Sequence, residues 1–395
     1  MEELVEKILE LADPERALER KVRLKEDKVE VQGFQHSFKK PLVVSVGKAS
    51  VKMANFFLKR LNDYQAIVVR PKGNQEPVHG NCEIIEAGHP NPDRDSIRAG
   101  KRVVELLTEE SYDVVFFLLS GGASALMEDP IPPLEEYMEI NDRLVKSGLS
   151  IQEINIVRKH LSRVKGGRLA QLSKAPIVTF VVSDVPGDDL STIGSGPTVP
   201  DNSSMEEANQ ILQEIGIKTR YLSETPKSLN NSYALVVLDV AEVLNGISSF
   251  VPNPVILSSE VRGDARSLGA FMASILNTRD IPFSRPFTIL MGGEPEVRIE
   301  GKPRKGGRNG EVCLSFLEWV KKQRFKLIAL ATDGIDGNSE YAGCVLDESI
   351  TIPRKEIRTA LREHSSYELL ERFEAIIKTG PTGTNVNNVY VLMAP

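Results

Sequence analysis

Short apolar runs alternate with amphipathic segments along most of the chain, and each run ends in a glycine-containing turn. The runs are continuous rather than alternating with polar residues, which is typical of parallel strands covered on both faces. In the first half they predict strands at 41–46, 66–69, 83–87, 114–119 and 177–182, with helices near 50–61, 96–108 and 133–147. This alternation predicts a parallel α/β fold.

A second series of the same kind follows a polar stretch. Residues 201–227 predict a polar helix and a loop, and residues 226–232 (PKSLNNS) predict a linker. The later runs predict strands at 234–238, 255–258, 287–291, 327–331 and 389–393, with helices near 266–276, 311–321 and 367–376. Because 395 residues exceed the size at which one core usually stops growing, we expect two domains, residues 1–230 and 231–395.

The composition of the chain argues against two classes of binding partner, nucleic acids and membranes. The chain is 41% hydrophobic and 26% charged, with a formal net charge of -6, so no global positive field attracts nucleic acid or an anionic membrane. No apolar run approaches the ~20 residues that span a bilayer, and the N-terminal residues contain no uninterrupted apolar segment of the kind found in secretory signals. We therefore expect a cytoplasmic protein, a monomer or homodimer with no nucleic-acid or membrane partner. Three widely spaced cysteines, Cys82, Cys313 and Cys344, are predicted to be buried thiols in a reducing compartment.

Two glycine loops directly follow predicted strands, where ligands of doubly wound sheets bind. In the first, GKAS at 47–50, Lys48 stands at a helix start and could hold a phosphate or a carboxylate. It is not a Walker A lysine, because the required glycine and hydroxyl residue are replaced by Leu42 and Ala49. The second, SGGASAL at 120–126, resembles a phosphate cradle but lacks the GxSxG spacing of a hydrolase elbow. Its candidate binding residues are Ser120, Gly121, Gly122 and Ser124.

Two acidic loops also follow strands. Asp184, Asp188 and Asp189 place three carboxylates within six residues, an arrangement that favours a divalent cation such as Mg²⁺, although a solvated acidic loop is the alternative. Asp333 and Asp336 lie in TDGIDG after the predicted strand 327–331. Their carboxylates could bind a metal or accept a proton from a hydroxyl group.

The remaining candidates lie in the second half. Arg308 begins a glycine-rich helix start, GGRNGE, and can make two-pronged contacts to a carboxylate or a phosphoryl group. Glu294 follows the paired glycines of GGE, and Asn385 and Asn387 lie in the polar loop TGPTGTNVN. We expect these three residues to help to bind or orient a ligand.

In order, the strings GKAS, SGGASAL, KGGRLA, SDVPGDDLSTIGSGPT, GGEPEV, GGRNGE, TDGIDG and TGPTGTNVN resemble the motif set of the glycerate 2-kinases whose C-terminal half is called the MOFRL domain. The resemblance spans the whole chain. It departs from the family pattern at Asn388, where aspartate is common, and at Asn338, where proline is frequent. It implies two Rossmann-like α/β domains with a cleft between them, and transfer of the γ-phosphoryl group of ATP to the 2-hydroxyl of D-glycerate with Mg²⁺ or another divalent cation. Lys48 and Arg308 match the family's functional lysine and arginine.

On this interpretation Lys48, Arg308 and Asp333 are the catalytic candidates, and Asp333 would orient or deprotonate the 2-hydroxyl. A nicotinamide-dependent hydroxypyruvate reductase is a rival, but no GxGxxG follows a strand with an acidic residue ~20 positions later. A non-catalytic sensor of phosphorylated metabolites is a second rival, and it would not need the acidic loops.

Overall fold

The computed structural model describes residues 1–109, 111–278 and 283–395. The described residues form two compact units. We call residues 14–183 and 188–237 the N-terminal unit, and residues 1–13, 184–187 and 238–395 the C-terminal unit. The division into domains at residue 230 stays a prediction.

The elements up to residue 238 follow the predicted order with additions. The helices are α1 (Glu2–Leu11), α2 (Pro14–Lys21), α3 (Ser50–Leu58), α4 (Arg94–Thr108), α5 (Ala123–Leu126), α6 (Leu134–Lys146), α7 (Ile151–His160), α8 (Arg168–Leu172) and α9 (Met205–Glu214), with a 3₁₀ turn at Ile193–Ser195. The strands are β1 (Val22–Leu24), β2 (Lys28–Val31), β3 (Phe34–Ser37), β4 (Pro41–Val46), β5 (Gln65–Pro71), β6 (Glu83–Ala87), β7 (Val114–Leu119), β8 (Ile177–Val182) and β9 (Ser232–Leu238).

The elements after residue 238 form the second series. The helices are α10 (Val240–Ser248), α11 (Ala265–Asn277), α12 (Arg308–Trp319), α13 (Arg354–Arg362) and α14 (Ser366–Glu371). The strands are β10 (Pro254–Val261), β11 (Phe287–Gly293), β12 (Lys326–Ala331), β13 (Gly343–Asp347), β14 (Ile376–Ile377) and β15 (Asn388–Ala394).

The N-terminal unit is built on a sheet whose strand order is β6-β5-β4-β7-β8-β9. β4 is parallel to both β5 and β7, with Val46 opposite Leu119, and β7 is parallel to β8. Every residue of β4, β7 and β8 is buried, as expected for strands covered on both faces. The register brings the loops that follow β4 and β7 to the same edge of the sheet.

The C-terminal unit is built on a sheet of order β10-β11-β15-β12-β13-β14. β10 is parallel to β11, whereas β11 and β12 both pair antiparallel with the last strand, β15. The α/β class is confirmed, but this sheet is mixed and not the parallel series that the apolar runs predict. β15 is the reason, because it enters between β11 and β12 and its apolar pattern does not encode its direction.

Two further features differ from the sequence prediction. Residues 22–37 form a small antiparallel sheet, β1-β2-β3, which the apolar pattern does not predict because most of its residues are polar. Cys313 and Cys344 are buried as predicted, but they form a disulfide across 31 residues of sequence, with their Cα atoms 6.7 Å apart. The prediction that both are thiols is therefore wrong, and it failed because the packing of α12 against β13 leaves no signal in cysteine spacing. Cys82 is a half-buried thiol.

In the part of the chain that the structure describes, no helix is both long and apolar enough to cross a membrane.

Candidate functional site

The loops after β4 and β7 form one hydrogen-bonded structure in the N-terminal unit. The Lys48 amide donates to the Gly121 carbonyl at 2.9 Å, and the Ala49 amide donates to the Ser120 hydroxyl at 3.0 Å. Gly47 has a φ of 129°, and a Cβ there would lie 2.1 Å from the Ser120 Oγ. Only glycine therefore permits this approach.

Lys48 lies beside the paired glycines, where α3 begins. The N-cap residue of α3 is Ala49, whose own side chain forms no capping hydrogen bond. Gly122 has a φ of 86°, and a Cβ there would lie 2.9 Å from the His89 ring and 3.5 Å from the Lys48 Cγ. The structure thus brings His89 to the predicted loop. His89 is not among the predicted site residues, because its position beside Lys48 depends on the pairing of β5 with β6 and cannot be read from sequence spacing.

Ser120 and Ser124 have different environments. Ser120 is buried and supports the backbone after β4. Ser124 is half-buried, and its Oγ lies 2.7 Å from the Oγ of Ser195, a residue that sequence reasoning did not select. Of the two predicted serines, Ser124 is the more accessible to a ligand.

The acidic loop at 184–189 is divided between the units, with Asp184 in the C-terminal unit and Asp188 and Asp189 in the N-terminal unit. The Asp189 carboxylate accepts 2.9 Å hydrogen bonds from the Ser191 amide, the Ser191 hydroxyl and the Thr192 hydroxyl. Burial alone would raise the pKa of Asp189, but these bonds lower it overall. Among the described residues, no three or more His, Cys, Asp or Glu side chains are grouped so as to hold a metal ion.

Arg308 and Glu294 pair in the C-terminal unit. The Arg308 Nη1 donates to the Glu294 Oε1 at 2.7 Å, and both side chains remain partly exposed. Burial opposes the charge of Arg308, but the hydrogen bond to Glu294 outweighs it and raises the pKa of the guanidinium. Glu294 directly follows β11, so a strand end and a helix start place the two residues together.

Asp336 is a buried carboxylate at the start of α12. Its Oδ2 accepts from the Asn309 amide at 2.8 Å, the Gly310 amide at 3.2 Å and the Tyr367 hydroxyl at 2.6 Å. Its Oδ1 is buried without a hydrogen-bond partner among the described residues. Burial raises the pKa of Asp336 to about 6, although these donors and the nearby Arg308 charge act to lower it. The positive end of α12 is thus occupied by the protein's own carboxylate.

The glycines of GGRNGE are required by packing. A Cβ on Gly307 would lie 2.3 Å from the Asp336 carboxylate, and one on Gly310 would lie 2.3 Å from the Ser366 hydroxyl. These glycines therefore admit Asp336 and α14 to the helix start, and their backbone amides are not arranged as an open anion cradle.

Asp333 and the two asparagines lie in adjoining loops of the C-terminal unit. The half-buried Asp333 carboxylate accepts from the Ile335 amide at 3.1 Å. The Asn387 carbonyl accepts from the Thr332 hydroxyl at 2.7 Å, and the Asn385 Nδ2 donates to the Asp184 Oδ2 at 3.3 Å. The structure thus groups Asp333, Asn385 and Asn387 around the end of β12, and adds Asp184 to that group.

Both departures from the family pattern have defined contacts. Asn388 donates to the Gly293 carbonyl at 3.1 Å and accepts from the Asn309 amide group at 2.8 Å, and an aspartate could not make the first bond. Asn338 accepts from the Gly306 amide and donates to the Arg304 carbonyl, both at 2.9 Å. Asn338 therefore supports the loop that precedes Arg308, and Asn388 links the end of β11 to the start of α12.

The chain is similar to known proteins over most of its length. Residues 1–230 match the family model described as a domain of unknown function, DUF4147, and residues 287–388 match that of the MOFRL family. A glycerate 2-kinase of Sulfurisphaera tokodaii is 52% identical over an alignment of 399 positions that covers 99% of each chain. A protein of Agrobacterium vitis named a putative hydroxypyruvate reductase is 36% identical over 89% of this chain and 86% of its own.

A crystal structure of the glycerate kinase of Thermotoga maritima superposes with a TM-score of 0.88. The two sequences are 35% identical, and the alignment covers 100% of this chain and 98% of the other. The likeness therefore extends over both units.

Proposed function

The chain belongs to the family of glycerate 2-kinases that carry a MOFRL domain, and we propose that it transfers the γ-phosphoryl group of ATP to the 2-hydroxyl of D-glycerate. The products are 2-phosphoglycerate and ADP. The protein is an enzyme and a kinase. The hydroxyl oxygen attacks the γ-phosphorus, the bond to the bridging oxygen of ADP breaks, and the hydroxyl proton must be accepted by a nearby base.

The observation that carries this proposal is the joined pair of loops around Lys48. Phosphoryl transfer needs positioning and positive charge more than covalent chemistry. Lys48 supplies a charge at the start of α3, beside the two glycine peptides of the loop after β7. We propose that Lys48, Ser120, Ser124 and the Gly121 and Gly122 amides bind phosphate oxygens.

The C-terminal unit holds the second positive charge and the base that we propose. Arg308 can present two parallel N–H groups to a carboxylate or to the transferred phosphoryl group, and Glu294 holds it in one orientation. We propose Asp333 as the group that orients or deprotonates the 2-hydroxyl, because its carboxylate lies at a strand end and is partly open to solvent. Asn385 and Asn387 would steady the bound ligand.

A divalent cation would be held chiefly by the nucleotide. Mg²⁺ usually keeps several waters and binds one or two carboxylates together with substrate phosphates, so a dedicated cluster of three acids is not required. The candidate ligands are still Asp184, Asp188 and Asp189, and the Asp189 carboxylate already accepts hydrogen bonds from Ser191 and Thr192. The cation would neutralise phosphate charge, which is its usual part in phosphoryl transfer. The cytoplasmic location and the monomeric or dimeric state remain predictions.

The reductase named among the relatives is the second candidate. A nicotinamide dinucleotide would need a glycine fingerprint with an acidic residue ~20 positions later. The loop after β4 offers GKAS and the loop after β7 offers SGGAS, and neither matches that fingerprint. The kinase therefore accounts better for both loops.

The decisive experiment identifies the product. Purified protein is incubated with D-glycerate, ATP and Mg²⁺, and the phosphorylated product is assigned by ³¹P and ¹H NMR. A parallel incubation with hydroxypyruvate and NADH tests the reductase. We expect 2-phosphoglycerate, with no signal when the metal is chelated and none from Lys48→Ala. A 3-phosphoglycerate signal would overturn the proposed acceptor hydroxyl, and oxidation of NADH without any phosphorylated product would overturn the kinase.

A further inference from the structure

A buried ion pair lies behind the loop after β7. Lys165 and Glu128 form this pair with side chains 2% and 0% exposed. Lys165 Nζ also donates to the Ser124 carbonyl at 3.0 Å, and Glu128 also accepts from the hydroxyls of Tyr137 and Ser162. A buried charge pair without such additional bonds would be destabilising, and with them it fixes one arrangement. The carbonyl group of Ser124 is therefore held in place from within the N-terminal unit.

The same segment also holds a second loop. The Gly166 amide donates to the Ser195 carbonyl at 2.9 Å, and the Gly167 amide donates to the Gly196 carbonyl at 2.7 Å. A Cβ added to Gly194 would lie 2.8 Å from Leu119, so this loop packs directly on the end of β7. The segment that carries Lys165 thus links the loop of Ser124 to the loop of Ser195.

Ser195 has a backbone conformation that disfavours serine. Its φ is 62°, between Gly194 at 58° and Gly196 at 57°, so three successive residues lie in the left-handed region. A residue with a Cβ is strained in that region, whereas glycine adopts it freely. A residue needed only for this turn would be glycine, as both neighbours are. The serine at this position indicates that its hydroxyl has a use.

The hydroxyl contacts one side chain of the proposed nucleotide site. Ser195 is completely buried, and its Oγ lies 2.7 Å from the Oγ of the half-buried Ser124. A ligand can reach Ser124 but not Ser195. We propose that Ser195 is a positioning residue: its buried hydroxyl fixes the rotamer of Ser124 so that the Ser124 hydroxyl faces a phosphate oxygen of ATP. This inference rests on the proposed function, in which Ser124 binds the nucleotide.

The test is a double-mutant cycle read by calorimetric binding of ATP in the presence of Mg²⁺. Ser124→Ala, Ser195→Ala and the double variant are compared with the wild type. Loss of one hydrogen bond of about 1 kcal/mol raises the Kd roughly threefold to tenfold. We expect both single variants to show such an increase and the double variant to match Ser124→Ala, because Ser195 acts only through Ser124. If the double variant weakened ATP binding by the product of the two single-variant factors, the two serines would act independently and the proposal would be overturned.

Ser195→Gly separates positioning from stability. Glycine removes the same hydroxyl but relieves the left-handed conformation, so we expect a melting temperature at or above that of the wild type together with the weakened ATP binding. A variant that binds ATP as tightly as the wild type would overturn the proposal. Thr179→Val is the matched control, because it removes one hydroxyl of another buried pair in this unit, Thr179 and Thr198 at 2.8 Å. We expect it to alter stability without changing the Kd.

The same protein samples also distinguish a failure of the kinase proposal from a failure of the proposed role of Ser195. Each variant is also assayed for 2-phosphoglycerate, in which the wild type tests the proposed function. A wild type that binds ATP but forms no product contradicts the kinase and leaves the binding cycle able to support or overturn the role of Ser195. A wild type that does not bind ATP overturns both.

Discussion

Replacement of Asp336 by asparagine tests whether the carboxylate at the start of α12 is a group whose charge opposes folding. The carboxylate is 1% exposed, and one of its oxygens is buried without a hydrogen-bond partner among the described residues. Asparagine keeps the shape and one acceptor oxygen but cannot ionise. Its stability should therefore lose the pH dependence that Asp336 contributes.

The size of the effect follows from the raised pKa. Burial raises the pKa of Asp336 from 3.8 to about 6, so the folded state holds the proton more tightly than the unfolded state. The stability from this group is therefore complete below about pH 4 and is lost as the pH rises through 6. At about 1.4 kcal/mol per pKa unit, the loss is about 1.5 kcal/mol at pH 5 and about 3 kcal/mol at pH 8.

The measurement is urea unfolding of both proteins at pH 5 and pH 8, followed by tryptophan fluorescence. Trp319 is the single tryptophan of the chain and ends the helix that Asp336 caps, so its signal reports the C-terminal unit. Any difference in packing between aspartate and asparagine affects stability equally at both pH values, so it cancels when the difference between variant and wild type at pH 5 is subtracted from that at pH 8. We expect the free energy of unfolding to shift in favour of Asp336→Asn by about 1.5 kcal/mol between pH 5 and pH 8.

Asp347→Asn is the matched control in the same unit. Hydrogen bonds from Ser349 lower the pKa of Asp347, so its stabilising effect is lost only as the pH falls through the acidic range. Between pH 5 and pH 8 its difference from the wild type should stay constant. An Asp336→Asn difference that is equally constant would refute the assignment of a raised pKa and, with it, the view that the start of α12 holds a strained charge.

Three further predictions address other parts of the molecule. Arg308→Ala should lower kcat/KM by about 10²–10³-fold with unchanged circular dichroism, whereas the exposed Arg298→Ala in the same unit should keep the wild-type rate. Cys344→Ser should lower the free energy of unfolding by about 3–4 kcal/mol, which is the loop-closure contribution expected for a disulfide across 31 residues. Cys82→Ser should change the free energy of unfolding little. Urea unfolding with and without reductant tests both expectations. Lys165→Met should cost about 3–5 kcal/mol because it leaves its carboxylate partner charged and buried, and an unchanged urea midpoint would contradict the buried pair.

The part of the site that could be predicted from the sequence is the part built by local pattern. β7 is an unbroken apolar run and β4 is one interrupted only by Ser45, and the loops that carry Lys48 and the glycines of 120–124 follow these strands directly. Parallel neighbours must bring such strand ends to one edge, so their proximity follows from the fold class alone.

The remainder depends on contacts that have no local signature. The Asp336 carboxylate is buried by α14 and by the start of α12, 26 or more residues away in sequence, and an acidic loop looks the same whether it is solvated or enclosed. The direction of β15 and the disulfide of Cys344 could not be predicted for the same reason, because both depend on contacts between segments that are distant in sequence. Residues 22–37 could not be predicted because polar residues outnumber apolar ones in their short strands, and none of these polar side chains is buried.

The starts of α3 and α12 are capped differently, and this difference indicates how the two proposed catalytic charges, Lys48 and Arg308, would be used. At α12 the amides of Asn309 and Gly310 donate to Asp336, so the helix dipole is already neutralised and Arg308 is paired with Glu294. At α3 the N-cap residue is Ala49, whose own side chain forms no capping bond, and we expect the helix dipole to add to the charge of Lys48 in attracting an anion. The first loop is therefore suited to hold phosphate charge throughout the reaction. The Arg308 guanidinium can exchange Glu294 for the oxygens of the transferred phosphoryl group. Those oxygens become more negative during transfer, and a planar donor with two parallel N–H groups stabilises such charge most effectively.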